Sequence, residues 1–308
     1  MNFNRYIFVF LILATACKKE IAIDETDPVP TTYPTWSAEP FTATNTNQVV
    51  FFAENAGANA SFHIYLPDEY FTDSLRDFPV IYWLHGGGVA AAAGGSVAVE
   101  HYHQAIDRGD LPPCIVVLPY GLPFGMWCDS KDGSQKIETM CIQDLIPYVD
   151  EHYRTITTRR GRIVEGFSMG GYGAARFGFK YANIFGGFSA LGAGPMQLDF
   201  SVVAPQNQAN QPIIFEQVYG NDMSYFEAQS PWRLAEEYGL QLPVPTPKRF
   251  LVGGQDFVFP AKDSFVAHIA QLGIPHQYSV FPNLGHVALP LWNALGNQNW
   301  VFYRSVFP

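Results

Sequence analysis

The chain has 308 residues, of which 48% are apolar and only 15% charged, enough for one large buried core. Its 28 acidic and 18 basic side chains leave a net charge of −10, which argues against nucleic acid or an anionic membrane surface as partner, since both demand basic patches. No internal repeat divides it, and α/β sheets of this length still form single domains.

At the amino end, Asn4-Arg5 supplies a short positive region and residues 6–16 an apolar stretch too short to span a bilayer. The stretch closes as Leu13-Ala14-Thr15-Ala16-Cys17-Lys18-Lys19. Residues 1–16 therefore read as a signal peptide. Small residues directly before a cysteine resemble a bacterial lipoprotein signal, with Cys17 as the lipidated first mature residue. Ala14 departs from the leucine usual there, and an ordinary secretory signal cut near Ala16 is the alternative. Residues 17–40, rich in Pro, Thr, Asp and Glu, read as a disordered tether, and 41–308 as the folded domain.

Within that domain, strands at 49–53 and 62–66 suit an antiparallel edge. Residues 78–84 form a near-continuous apolar run, as a strand buried on both faces requires, and open into His85-Gly86-Gly87-Gly88. A glycine loop of this kind donates a backbone N–H to a tetrahedral intermediate; Gly87 is the candidate donor and His85 a structural hydrogen-bonding residue. A helix at 97–108 and a strand at 115–119 follow, then Trp127, a candidate stacking surface for an aromatic acyl group or sugar ring. A helix at 135–152 leads to the strand 162–165. Then come Gly166-Phe167-Ser168-Met169-Gly170-Gly171 and a helical segment reaching Lys180. Strand, G-x-S-x-G and helix in that order is the setting of a nucleophile elbow, with Ser168 as nucleophile and the Met169 N–H as second oxyanion donor.

After a strand at 185–191, residues 192–247 are long and rich in Gln, Asn and Pro, with one helix near 231–238. They read as a cap or insertion beside the site. The strand 249–252 breaks at two glycines and ends in Asp256; a helix at 261–272 and a strand at 277–281 lead to Gly285-His286, and a helix at 292–304 closes the chain. Asp256 and His286 each follow the carboxyl end of a strand, where open α/β sheets keep their sites, and they complete the order Ser, acid, His. Asp222 comes too early to compete as acid, and Asp263 falls inside a helix. His268 is likewise helical, and His276 opens a strand. Glu138 and Glu165 read as helix-start and strand-packing carboxylates. Alternation of strand and helix predicts an α/β-hydrolase fold, a mostly parallel central sheet with helices on both faces.

Of the remaining cysteines, Cys114 reads as a buried thiol, while Cys128 and Cys141 flank a loop that a disulfide could close. His101 and His103, two apart on a helix, point in different directions, so no metal site is expected. No cofactor is expected either.

Many of these segments together resemble one family. They are Ile64-Tyr65-Leu66-Pro67 with Tyr70, Pro79-Val80-Ile81-Tyr82 into His85-Gly86-Gly87-Gly88, Leu111-Pro112-Pro113, Trp127-Cys128-Asp129-Ser130, Asp144 to Val149, the elbow, and Gly285-His286 with Trp292. The chain is similar to the esterases that include the feruloyl and acetylxylan esterases of carbohydrate esterase family one. S-formylglutathione hydrolases, siderophore esterases and mycolyltransferases are relatives. The resemblance implies a serine carboxylic-ester hydrolase with an acylated polysaccharide or oligosaccharide as substrate. With the amino-terminal signal it implies attachment to the outer membrane of a Gram-negative bacterium. An acyltransferase, a siderophore or thioester esterase, and a non-catalytic glycan-binding lipoprotein are the other readings.

Overall fold

The computed structural model describes residues 32–88, 93–200, 209–243 and 246–308. The signal peptide and Cys17 lie outside the described residues. The carboxyl end of the expected tether does not: Thr35–Trp36 form a short strand, β1, in parallel register with Asn59 and Ala60. Trp36 and Ala38 are buried, and the Ala38 N–H donates to Ser61 Oγ at 2.9 Å. The boundary at residue 40 is thus corrected, because an apolar Trp side chain gains by packing on the sheet edge.

Strands β2 (Thr46–Ala53) and β3 (Ala58–Tyr65) form the antiparallel edge, and β3 runs antiparallel to β5 (Ile115–Pro119). Helix α1 (Asp68–Thr72) connects them to the parallel part of the sheet. That part is built from β4 (Val80–Leu84), α2 (Ala93–Asp107), β5 (Ile115–Pro119), the helical run 137–152, β6 (Arg162–Phe167), α5 (Met169–Lys180) and β7 (Gly187–Leu191). After the insertion come β8 (Lys248–Gly253), α9 (Phe259–Gln271) and β9 (Gln277–Phe281). The order across the sheet is β1-β3-β5-β4-β6-β7-β8-β9, with β2 on the outer side of β3.

Period-two alternation sorts each strand's side chains between two cores. Val80, Tyr82 and Leu84 join one, against the 137–152 run, α5 and α9; Ile81 and Trp83 join the other, against α2, α10 (Ala288–Leu295) and α11 (Gln298–Val306). Chain direction reverses its lateral progress at β4, which lies between β5 and β6. The loops after β4 and β6 therefore open side by side, the crevice where ligands meet such sheets.

Three helical regions depart from expectation. The run 137–152 divides into α3 (Ile137–Thr139), a π-helical turn (Met140–Leu145) and α4 (Ile146–His152). Pro147 has no N–H to donate and would crowd the carbonyl four residues back, and the wider turn relieves both. The expected closing helix 292–304 is two helices, α10 and α11, broken at Gly296, whose φ is +53°. The insertion carries α6 (Gln211–Gln217) and α7 (Met223–Gln229) besides α8 (Pro231–Tyr238). Asp222 caps α7, accepting from the N–H groups of Ser224 at 2.8 Å and Tyr225 at 3.3 Å.

Candidate active site

The elbow is a sharp reversal. Ser168 sits at φ 59° and ψ −120°, a conformation that costs a non-glycine residue about 1–3 kcal/mol, and its N–H is held by the Leu191 carbonyl at 2.9 Å. A Cβ on Gly170 would lie 1.8 Å from the Leu84 carbonyl oxygen, so only glycine lets α5 leave the elbow this close to β4. The result is a half-buried serine at the carboxyl edge of the sheet.

The structure brings the three sequence candidates into one hydrogen-bonded line. His286 Nε2 is 2.8 Å from Ser168 Oγ, and His286 Nδ1 is 2.8 and 2.9 Å from the two oxygens of Asp256. An ionised carboxylate only accepts, so Nδ1 carries the proton and Nε2 is free to take one from serine. The Asp256 side chain is fully buried, and its Oδ1 also accepts the Val258 N–H at 3.0 Å. The acid and base loops are tied together by Gly254 N–H to Phe281 O at 2.8 Å and Gln255 N–H to Leu284 O at 3.0 Å. The half-buried rings of Phe167 and Phe257 flank the imidazole at 4.6 and 4.5 Å.

On the opposite side of Ser168 lies the glycine loop. A Cβ on Gly86 would be 3.3 Å from Ser168 Cβ, and one on Gly87 would be 3.8 Å from Met169 Cβ. Met169 is the first residue of α5, where helical N–H groups have no partner within the helix. Neither its N–H nor that of Gly87 donates to another backbone group among the described residues. His85 latches this loop down. Its Nδ1 meets the Gly86 carbonyl at 2.7 Å, its Nε2 accepts the Gly121 N–H at 3.0 Å, and burial pushes it down to about 4. It is therefore a neutral, structural imidazole.

Trp127 requires a correction. It is fully buried, its Nε1–H donates to the His85 carbonyl at 3.2 Å, and its ring packs against Gly121 and Gly173. No face is left for a substrate; the indole braces the start of the glycine loop through the His85 carbonyl. Cys114, Cys128 and Cys141 are all buried free thiols, so the two flanking the loop are not joined. His101 stacks on Trp292 at 4.4 Å and His103 bonds the Tyr65 hydroxyl at 3.0 Å. No group of three or more His, Cys, Asp or Glu that could hold a metal ion occurs among the described residues.

Sequence reasoning missed Gly192. Its φ is +46°, and a Cβ there would stand 3.2 Å from Asp256 Oδ2 and 3.4 Å from His286 Nδ1. The only signal was a glycine directly after a strand, in Leu191-Gly192-Ala193-Gly194.

Residues 53–241, more than half of the chain, match the family described as "Putative esterase". The chain belongs to this esterase family. It is 28% identical over 257 residues to esterase Rv1288 of Mycobacterium tuberculosis (strain H37Rv), a match covering 76% of this chain and 54% of that protein. It is also 28% identical over 158 residues to an endo-1,4-beta-xylanase/feruloyl esterase of Xylanibacter ruminicola, covering 49% of this chain and 22% of that one. The chain thus spans about half or less of the length of these curated relatives. Among solved structures, a ferulic acid esterase superposes with a TM-score of 0.67 at 20% identity, covering 85% of this chain and 98% of that one. An S-formylglutathione hydrolase (FrmB) from Staphylococcus aureus superposes with a TM-score of 0.64 at 18% identity, covering 84% and 98%. These likenesses show the α/β-hydrolase fold.

Proposed function

We propose that this esterase is a serine carboxylic-ester hydrolase that removes feruloyl or acetyl groups from polysaccharides or oligosaccharides through an acyl-enzyme. One observation carries the reading: the Ser168–His286–Asp256 line at 2.8 Å spacing stands beside the glycine loop, where the N–H groups of Gly87 and Met169 donate to no other backbone group among the described residues. Ser168 Oγ attacks the ester carbonyl carbon as its proton passes to His286 Nε2. Asp256 holds Nδ1–H in place and stabilises the imidazolium, while the N–H groups of Gly87 and Met169 take the charge on the carbonyl oxygen. Each such donor is worth on the order of 3 kcal/mol in the transition state. His286 then returns the proton to the departing alcohol, and water repeats the sequence on the acyl-enzyme.

The substrate class is supported by the family and by the feruloyl esterase relative. It is supported also by the half-buried Phe124, Phe167 and Phe257, which give the site an apolar aromatic rim suited to a planar acyl group. Purified protein should release ferulate or acetate from acylated xylo-oligosaccharides. Ser168→Ala should lower that rate by on the order of a millionfold without altering the fold. Activity of the variant within tenfold of the parent would remove Ser168 as nucleophile.

We further propose that the esterase is a lipoprotein of the outer membrane, anchored through Cys17. The support is the positive, apolar and small-residue sequence of residues 4–16 before that cysteine. Anchoring would place the site where bulky glycan esters can reach it. Intact-mass analysis of the native protein should show added diacylglycerol on Cys17; a mature chain without lipid mass would overturn the anchor.

A further inference from the structure

A groove of about 610 Å³ lies between α2 on one side and α10 and α11 on the other, and no step of the mechanism above uses it. Both walls start at the catalytic edge of the sheet: α2 follows the glycine loop, and α10 begins two residues after His286. Val97, His101 and Gln104 share one face of α2, at the three- and four-residue steps that bring helical side chains into line. Opposite them stand Trp292 and Asn293 of α10 and Asn297 at the start of α11. At 1.5 Å per residue, the α2 wall from Val97 to Asp107 is about 15 Å long. The groove is thus an elongated slot leading away from the nucleophile.

Its hydrogen-bonding groups select the ligand. The charged side chains are already engaged: Glu100 Oε1 accepts the Thr44 N–H at 3.0 Å and hydroxyl at 2.9 Å, and Arg108 donates to Asp110 at 2.9 Å. One basic group against two acidic ones offers an anion nothing. The side chains of Gln104, Asn293 and Asn297, by contrast, are exposed and bond no group among the described residues. Asn297 stands at the N-cap of α11, where asparagine ordinarily turns back onto the helix, yet its side chain makes no capping bond. The floor adds a donor. Asn299 Oδ1 accepts from Arg249 at 2.9 Å, so its Nδ2 is the atom that meets His101 Nε2 at 3.2 Å and donates. Burial pushes His101 down to about 4, so the ring is neutral and carries its proton on Nδ1. Trp292 and Trp300, 4.4 and 4.9 Å from the imidazole, fix its orientation.

We propose that this groove is a second binding site, which holds a neutral, unesterified stretch of the glycan whose ester Ser168 attacks. The inference rests on the ester-hydrolase reading of the site. An amide presents a donor and an acceptor side by side, and each sugar hydroxyl is both. Three unengaged amides and an imidazole N–H along a narrow slot therefore match the successive hydroxyls of a sugar chain, and no charge is left over to demand a charged ligand. A chain seated there runs up between α2 and α10 to the glycine loop and the His286 loop, so the groove retains the polymer while its acyl groups are presented to the nucleophile.

The test titrates the full chain with unesterified xylohexaose by calorimetry, and measures hydrolysis of para-nitrophenyl acetate and of acylated xylo-oligosaccharides. The parent should bind xylohexaose saturably. A variant carrying Gln104→Ala, Asn293→Ala and Asn297→Ala removes only exposed side chains, so the core is untouched. It should bind xylohexaose about tenfold more weakly and show a KM for the acylated oligosaccharides raised by a similar factor, as the loss of a few hydrogen bonds requires. Its kcat on both esters, and its KM for para-nitrophenyl acetate, which is too short to reach the groove, should match the parent. A parent that does not bind xylohexaose, or a variant that binds it as tightly as the parent, overturns the proposal. A parent that binds xylohexaose yet hydrolyses neither ester would instead bring down the ester-hydrolase reading, and the titrations of parent and variant would still decide whether the groove holds the sugar.

Discussion

Two buried carboxylates lie on the same half of the sheet and do opposite things. Glu165, on β6 three residues before Ser168, accepts from Tyr102, Ser189, Arg249, Trp292 and Tyr303. Glu165, Ser189 and Arg249 stand in direct register across β6, β7 and β8, so the network is a polar rung clamped between α2, α10 and α11. The side chain of Asp256, just past β8, accepts from His286 and the Val258 N–H and from no other donor among the described residues. A carboxylate with every lone pair engaged by fixed donors is a fastener. One with a single titratable partner in an otherwise dry setting directs a proton. Burial is common to both, and the identity of the donors separates fastener from catalyst.

The sharpest way to break this comparison is to turn each acid into its amide. Asp256→Asn should lower turnover by on the order of 10⁴-fold with little change in melting temperature, because the amide favours the wrong imidazole tautomer. Glu165→Gln should do the reverse. It leaves the buried Arg249 without a counter-charge, a loss of about 3–5 kcal/mol, or on the order of 10 °C in melting temperature, while the remaining folded protein keeps its turnover. Turnover and thermal unfolding measured on both variants decide the matter. A Glu165→Gln enzyme that is stable but slow would place Glu165 in the reaction.

The same contrast marks what the chain discloses before folding. Ser168, Asp256 and His286 were legible because each sits in a loop at a strand's carboxyl end, and strands announce themselves by apolar runs and β-branched residues. Glu138 was legible as a helix-start carboxylate and Glu165 as a strand-packing one for a similar reason. Trp127 was not, because an indole in a loop reads alike whether it faces solvent or, as here, two glycines from distant segments. Strand β1 was hidden by its Pro- and Thr-rich surroundings, which share the composition of a linker. Helices α6 and α7 are seven residues each, too short for a 3.6-residue period to stand out. The π-turn before Pro147 was half visible: the proline was there to read, but its remedy depends on the packing of Met140 and Cys141 into the core.

Gly192 sharpens the comparison most finely, because β7 and the residue just past its end serve both carboxylates. At Ser189 the strand supplies a donor to Glu165; three residues on, just past the strand, Gly192 leaves room for Asp256 and His286. Gly192→Ala keeps the hydrogen bond from its N–H to the Leu251 carbonyl, so the backbone has reason to stay in place. The new methyl must then be accommodated 2.8 Å from Phe167 Cε2 and 3.2 Å from Asp256 Oδ2, at a φ of +46° that alanine adopts at a cost of about 1–3 kcal/mol. Phe167 and the acid must both give way, and displacing the acid tilts the imidazole it holds. Misplacement of this size typically costs up to about 10²-fold in turnover, less than removing the carboxylate's function outright. KM should hardly move, since the methyl points at the acid–base pair and not at the oxyanion loop. A variant that loses only stability, with kcat unchanged, would mean that Asp256 and His286 keep their geometry without the space glycine leaves them.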